Sequence, residues 1–540
     1  MNRNTTITLL CLLSAVLLSL PFLVPGTGFL MLVAFIPLLY AEEVASSTGK
    51  RRFFWWYYGT FVLWNALTVS WICNATVGGG LFAVFANALW MAGIFALFRW
   101  SRKRMKGSLP YLFLAFAWIA WEFFYLHWSQ IEFPWLVLGN AFATTTSWIQ
   151  WYEFTGTLGG SLWVWATNLA VFGILVSVGK GSWKGLNGKA RVAALAGTVL
   201  LFLAPPACSL FLRPAPDKGK LPVMIAQPNI DPYNKFGGMS QDEQNIMLLS
   251  QFTDAPKDSA VLLIAPETFT NDIFTNDYSY SSTMTQFNLF LGRHMGANFL
   301  FGASTKTFIQ GKDRPSRTAR QVSEGVWTES HNSAVMTSFY GRSSLYNKSK
   351  LVVGVEKMPY PRIFAPIDDK LGNVMGRCIG QKEVSNLMFT QCDSLTQEVT
   401  LRYPVGCAIC YESIFGEHCA EYVKKGAYLL TVITNDAWWG NTPGYRQHAA
   451  YSSLRAIETR RWVARCANTG ISCIIDPSGK MVSRTGWWKQ EVLRGEVGLN
   501  DNLTFYVRYG DYIGRISMLM FVLLLAMALV RKLTGKTVEN

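Results

Sequence analysis

Pro404-Val405-Gly406-Cys407-Ala408-Ile409-Cys410-Tyr411-Glu412-Ser413-Ile414-Phe415-Gly416-Glu417 runs from an unbroken apolar strand pattern into a polar turn and a helix start. Layered α/β sheets present their chemistry where strands end in this way. Two other segments share the pattern. Val261-Leu262-Leu263-Ile264-Ala265-Pro266-Glu267 closes an apolar run on a carboxylate, and Leu345-Tyr346-Asn347-Lys348 closes one on an ammonium. Taken singly, Cys410 reads as a buried structural thiol, Glu267 as a loop carboxylate and Lys348 as a solvated turn lysine beside Lys350. Together, a thiol, a carboxylate and an ammonium are the parts of acyl transfer through a thioester.

Around these segments the pattern alternates short apolar runs with amphipathic stretches. Strands are expected at 221–227, 260–265, 298–302, 331–339, 405–409, 428–434 and 471–475. Helices are expected near 240–253, 281–296, 415–425 and 446–464. This is a layered α/β domain, spanning about 220–500. Pro205, Pro206, Pro214 and Pro216 stiffen the linker before it.

The remainder of the 540-residue chain is different in kind. A membrane-crossing helix needs roughly 20 mostly apolar residues. Eight segments qualify, near 7–24, 27–42, 53–73, 79–98, 109–127, 159–178, 192–212 and 512–531. The domain plan is therefore seven helices in 1–212, an α/β domain in 220–500 and an eighth helix at 512–531. The aromatic connection 128–158 reads either as an interfacial belt or as a re-entrant segment lining a lipid path.

The net charge of +15 suggests an anionic partner until it is located. Residues 220–500 carry 29 Lys/Arg and 25 Asp/Glu, so most of the excess lies in short loops. Lys50 to Arg52, Arg99 to Lys106, Lys180 to Arg191 and the tail from Arg531 are basic, whereas 24–27, 74–79 and 128–158 hold no Lys or Arg. This alternation is the positive-inside pattern. It puts both termini in the cytoplasm and the α/β domain outside, and it argues against nucleic-acid binding.

Of ten cysteines, Cys11, Cys73 and Cys208 belong to apolar helices and seven to the α/β domain. An odd number leaves at least one thiol free. Cys378 and Cys392 flank a polar stretch and could pair in an oxidising compartment. Cys407 and Cys410 are poorly suited to zinc, since i and i+3 in a strand face opposite ways and no second Cys-x-x-Cys exists.

These motifs resemble the nitrilase superfamily, the carbon–nitrogen hydrolases. Further segments carry the likeness: Thr434-Asn435-Asp436-Ala437-Trp438-Trp439-Gly440, Gln447-His448, Arg455 to Glu458, and Asn468-Thr469-Gly470. The resemblance implies an αββα sandwich with Glu267 as general base, Lys348 as oxyanion stabiliser and Cys410 as nucleophile. Glu356 matches an accessory glutamate, and Tyr411 and Glu412 match residues that shape the site. Phe236 stands where a tryptophan is expected, and 371–400 is a lengthened loop.

Eight helices around such a domain resemble the bacterial members that acylate lipoproteins. That resemblance implies a ping-pong reaction at the outer face of the inner membrane by a monomer without metal or cofactor. A phospholipid, phosphatidylethanolamine, donates its sn-1 acyl chain to Cys410, and the α-amine of a diacylglyceryl-cysteine apolipoprotein accepts it. Two rivals are a membrane-tethered amidase and a transporter or receptor with a degenerate domain. Eight helices are more than an anchor needs, the complete trio argues against degeneration, and few charges lie within the helices.

Overall fold

The computed structural model describes residues 2–47, 53–235, 237–340, 343–370, 375–393, 396 and 398–534. The basic loop at Lys50 to Arg52 and part of 371–400 lie outside them. The chain divides into two compact units: residues 1–213, 441–450 and 509–540, and residues 214–440 with 451–508.

The first unit is helical. Its N-terminal helices are α1 (Arg3–Leu23), α2 (Ile36–Ser47), α3 (Phe54–Val69), α4 (Val77–Arg102), α5 (Leu109–His127), α6 (Tyr152–Gly179) and α7 (Gly188–Phe211), and a last helix spans Tyr512–Leu533. Among the described residues, seven helical segments are long and apolar enough to cross a membrane. The other expected segment, α3, has 16 residues and runs on into a 3-10 turn at Ser70–Asn74.

The second expected helix is broken, with a 3-10 turn at Gly28–Leu32 before α2. Asn168 of α6 repairs the break. Its Nδ2 donates to Met31 O at 2.9 Å and its Oδ1 accepts from Phe35 N at 2.8 Å. Irregular backbone survives at such depth only where protein supplies the missing partners.

The same rule governs 128–158. It forms three 3-10 turns, Pro134–Leu136, Leu138–Phe142 and Thr146–Trp148, and residues 134–143 are buried. Leu138 N donates to Glu122 at 2.9 Å. A Cβ on Gly139 would strike Thr157 O, so only glycine lets this segment lie on α6. Gln447 completes the unit: its Oε1 accepts from Trp135 Nε1 at 2.6 Å and Trp71 Nε1 at 3.2 Å, and its Nε2 donates to Phe22 O and Thr68 O at 3.1 Å.

The second unit holds fourteen strands among its described residues: β1 (Gly219–Gln227), β2 (Val261–Ile264), β3 (Thr270–Phe274), β4 (Ala297–Gln310), β5 (Arg320–Ser323), β6 (Val326–Ser338), β7 (Ser344–Asn347), β8 (Leu387–Cys392), β9 (Val399–Ile409), β10 (Leu429–Thr434), β11 (Val463–Ala467), β12 (Cys473–Ile475), β13 (Met481–Arg484) and β14 (Glu491–Leu499). One sheet runs β14-β1-β2-β4-β6-β5, with β3 on β4 and β7 on β6; the other runs β13-β12-β11-β10-β9-β8.

Strand alternation builds the layers. Leu221, Val223 and Ile225 of β1, with Leu262 and Ile264 of β2, enter one core with Val405, Cys407 and Ile409 of β9 and Leu430 and Val432 of β10. Met224 and Ala226, with Val261 and Leu263, enter a second core with Leu248, Phe287 and Leu291 from the helical segments Gln241–Ser250 and Ser282–Leu291. A sheet apolar on both faces must be covered on both. The result is an αββα sandwich. Emptying one of these positions, as in Ile264→Ala, costs about 2–5 kcal/mol.

Three expectations need correction. The helix expected over 446–464 ends at Thr459, and β11 begins at Val463. β14, unforeseen, pairs antiparallel with the whole of β1, from Gly219 opposite Leu499 to Gln227 opposite Glu491. Cys378 and Cys392 are free thiols rather than a disulfide. Cys378 N donates to Glu356 O at 3.1 Å, while Cys392 ends β8 opposite Val399, so the two are held in separate segments.

Candidate active site

Glu267 follows β2 in a turn gripped by β4. Gly302 N donates to Pro266 O at 3.1 Å and Phe269 N to Gly302 O at 2.8 Å. A Cβ on Gly302 would stand 2.5 Å from Glu267 Cα, so the strand must present glycine here. Glu267 is 6% exposed, and its carboxylate has a donor on each oxygen. Oε1 accepts from Lys348 Nζ at 3.2 Å and Asn332 Nδ2 at 2.8 Å, and Oε2 accepts from Asn435 N at 3.1 Å.

Lys348 follows β7 and is buried at 1% exposure. Its Nζ also donates to Glu356 Oε1 at 3.2 Å. Burial alone would lower this amine, but the carboxylates of Glu267 and then Glu356 hold it well above its ordinary value. Lys348 is therefore a fixed cation at neutral pH. Lys350 has another place, its Nζ 4.9 Å above the Phe415 ring.

Cys410 begins the 3-10 turn Cys410–Ile414 after β9. Its φ of +52° is left-handed, a region that L-residues occupy at a cost of about 1–2 kcal/mol. Burial first, then the charge of Glu267, push its thiol up, with Lys348 pulling the other way. At rest this sulfur carries its proton.

The accessory positions fall as follows. Glu356 Oε2 accepts from Val352 N at 2.8 Å. Tyr411 packs edge-on against Phe415 with ring centroids 5.1 Å apart. Glu412 is fully buried and accepts from Ile409 N at 2.8 Å and Tyr346 Oη at 2.7 Å. Phe236 lies outside the described residues.

Three neighbours were given no role from the sequence, although Asn435 and Asp436 lie in a segment that carries the family likeness. Asn332 on β6 links the carboxylates, its Nδ2 donating to Glu356 Oε1 at 2.7 Å as well as to Glu267. It shares a strand face with Ala334 and Met336, and a polar residue on a core-facing register was the available signal. Asn435 contributes through its backbone, which no side-chain pattern announces. Asp436, beside Cys410, is paired with Arg465 at 2.7 Å, both side chains at 0% exposure.

A carboxylate ringed by donors, a fixed ammonium and a protonated thiol that feels the charge of both can generate a nucleophile on demand and stabilise an oxyanion. The sequence-family comparison identifies the setting. Residues 225–502 match the carbon-nitrogen hydrolase family. The chain belongs to that family. Residues 14–170 match the apolipoprotein N-acyltransferase N-terminal domain.

Proteins named apolipoprotein N-acyltransferase are similar over nearly the full length. That of Chlorobaculum tepidum is 29% identical over 93% of this chain and 92% of its own, and that of Geobacter metallireducens is 28% identical over 93% and 91%. This member of the carbon–nitrogen hydrolase family is thus a membrane protein and an acyltransferase. Solved structures match more distantly. Saccharomyces cerevisiae Nit3 covers 53% of this chain and 93% of its own at 14% identity and a TM-score of 0.35, and an amidase from Nesterenkonia covers 56% and 98% at 12% and 0.33.

Proposed function

We propose that this carbon–nitrogen hydrolase family member N-acylates the amino-terminal diacylglyceryl-cysteine of lipoproteins, taking the sn-1 acyl chain of a phospholipid through a thioester on Cys410. The observation that carries the reading is the buried Glu267–Lys348 pair at 3.2 Å, whose charges act directly on the Cys410 thiol. The relatives' printed names support the acceptor class.

The first half-reaction starts with a neutral thiol. Glu267 takes the Sγ proton as sulfur attacks the ester carbonyl carbon. Lys348, with the N–H of Tyr411, stabilises the oxygen that becomes negative. The tetrahedral intermediate collapses, the sn-1 C–O bond breaks, and Glu267 returns the proton to the leaving lysophospholipid alkoxide. In the second half, the α-amine of the lipoprotein attacks the thioester carbonyl while Glu267 receives its proton. The C–S bond breaks, the proton passes to sulfur, and an amide is left. Exclusion of water protects the thioester between the two halves.

The proposed placement is seven helices in 1–212, the catalytic domain of 220–500 in the periplasm, and an eighth helix at 512–531, in the bacterial inner membrane with both termini cytoplasmic. The alternation of basic and Lys/Arg-free loops supports it.

The test is mass spectrometry of the Cys410 peptide after incubation of purified protein with phosphatidylethanolamine. An acyl adduct is expected, discharged as amide when a diacylated lipopeptide is added. An adduct that persists in Cys410→Ala, or release of free fatty acid alone in the presence of the lipopeptide, would overturn the reading.

A further inference from the structure

One buried cation stands outside the proposed mechanism. Lys235 closes the short helix Pro232–Lys235 and is 5% exposed. Its Nζ donates to Glu267 O at 3.2 Å and to Thr268 Oγ1 at 3.3 Å. Burying an ammonium is costly unless compensating contacts offset the loss of water. This one lies against the backbone of the proposed base.

The turn it grips is strained. Thr268 has φ +47°, a left-handed conformation that is unusual for a β-branched residue. β4 holds one side of that turn through Gly302, and Lys235 holds another. Lys235 is itself anchored, its N–H donating to Asp231 O at 2.9 Å and its carbonyl accepting from Gln244 Nε2 at 3.0 Å.

Charge balance points the same way. Glu267 and Glu356 share the single ammonium of Lys348. Asp436 has its own cation in Arg465, and the Cys410, Cys407 and Cys378 thiols, which also feel Glu267, are pushed up by burial first. Lys235 brings a further positive charge against the Glu267 backbone.

We propose that Lys235 is a positioning residue for Glu267: its ammonium holds the strained Glu267–Thr268 turn and so fixes where the Glu267 carboxylate sits against Lys348 and Cys410. The inference rests on Glu267 acting as the base. Burial lowers the Lys235 amine to about 8 against the opposing pull of Glu267, so this charge is present at neutral pH and fades above it.

The test uses the full-length protein in detergent micelles with phosphatidylethanolamine, reading the rate constant and the amplitude of single-turnover acylation of Cys410 over a lipid series. In Lys235→Met the rate constant at saturating lipid should fall about tenfold or more, with the amplitude and the half-saturating lipid concentration unchanged. Lys235→Arg should restore most of the rate, and Lys235→Gln carries the expectation of the Met variant if that one does not fold.

An unchanged rate constant in Lys235→Met or Lys235→Gln, or a loss confined to the amplitude or to the half-saturating lipid concentration, overturns the proposal. So does an Arg variant as slow as Met. Glu267→Gln separates the two ideas. If it acylates at the wild-type rate, the base assignment falls and the proposal with it; if it is inactive while the Lys235 variants keep the wild-type rate, only the proposal falls.

Discussion

The backbone N–H of Ser349 donates to Glu412 Oε1 at 2.6 Å, and so splices the turn that carries Lys348 to the turn that carries Cys410. Lys350 N donates to the same oxygen at 3.1 Å, and Ile409 N to Oε2 at 2.8 Å. One buried carboxylate thus fixes the separation of two proposed catalytic side chains that lie on different sheets.

Glu412→Gln should slow Cys410 acylation by about 10–100-fold, the cost of a displacement approaching 1 Å at a reacting centre. The measurement is single-turnover acylation alongside thermal unfolding. Although burial would raise this carboxyl, His418 and the donors Ile409 and Tyr346 hold it below its ordinary value. A depressed folded-state value gives stability that is present above the unfolded glutamate value of about 4.3 and lost as pH falls through the folded one. The melting temperatures of wild type and Glu412→Gln should therefore converge in acid and separate at neutral pH.

Asn332→Leu removes the amide shared by Glu267 and Glu356 and leaves two carboxylates facing each other with one ammonium between them. Acylation should fall about 100-fold, with little change in lipid KM. Asn332→Asp should be worse, because it adds a third like charge. Steady-state kinetics over a lipid series checks both variants, and an Asn332→Leu effect confined to KM would contradict the expectation.

Asp436 and Arg465 form an ion pair with no exposure on either side. Breaking such a pair by removing one partner costs about 3–5 kcal/mol, whereas replacing both with apolar residues is often neutral. Arg465→Met should lower the denaturation midpoint sharply, and the double variant Asp436→Leu with Arg465→Met should recover much of the loss. Chemical denaturation followed by tryptophan fluorescence distinguishes the two cases.

Strand ends were legible where a polar residue closes an apolar run, as at Glu267 and Cys410, because burial on both faces forces continuous hydrophobicity. The apolar helices were legible from length alone. β11 was not, since Arg465 interrupts its run and only a tertiary partner, Asp436, makes an arginine tolerable there. β14 hides behind Gly495 and Gly498, which pack by absence: a Cβ on Gly495 would stand 2.6 Å from Ile474 Cδ1, and one on Gly498 would overlap the Asp217 carboxyl. The break before α2 depends on Asn168, more than a hundred positions away in the chain. Asn435 reaches Glu267 through its own backbone N–H, and Lys235 reaches it through the Glu267 carbonyl, contacts that no side-chain pattern announces.

The left-handed turn at Cys410 ends a β-strand in a unit crowded with sulfur. Cys407, Cys419, Cys466 and Cys473 are buried as Cys410 is, and burial pushes every one of these thiols up. Acidity therefore does not single out the proposed nucleophile; the neighbouring carboxylate does. On the proposed mechanism, a stray activated acyl group meets four other fully buried, chemically quiet thiols and one that wakes only when its proton has somewhere to go, so fidelity of self-acylation would be set by where Glu267 sits rather than by how reactive any sulfur is.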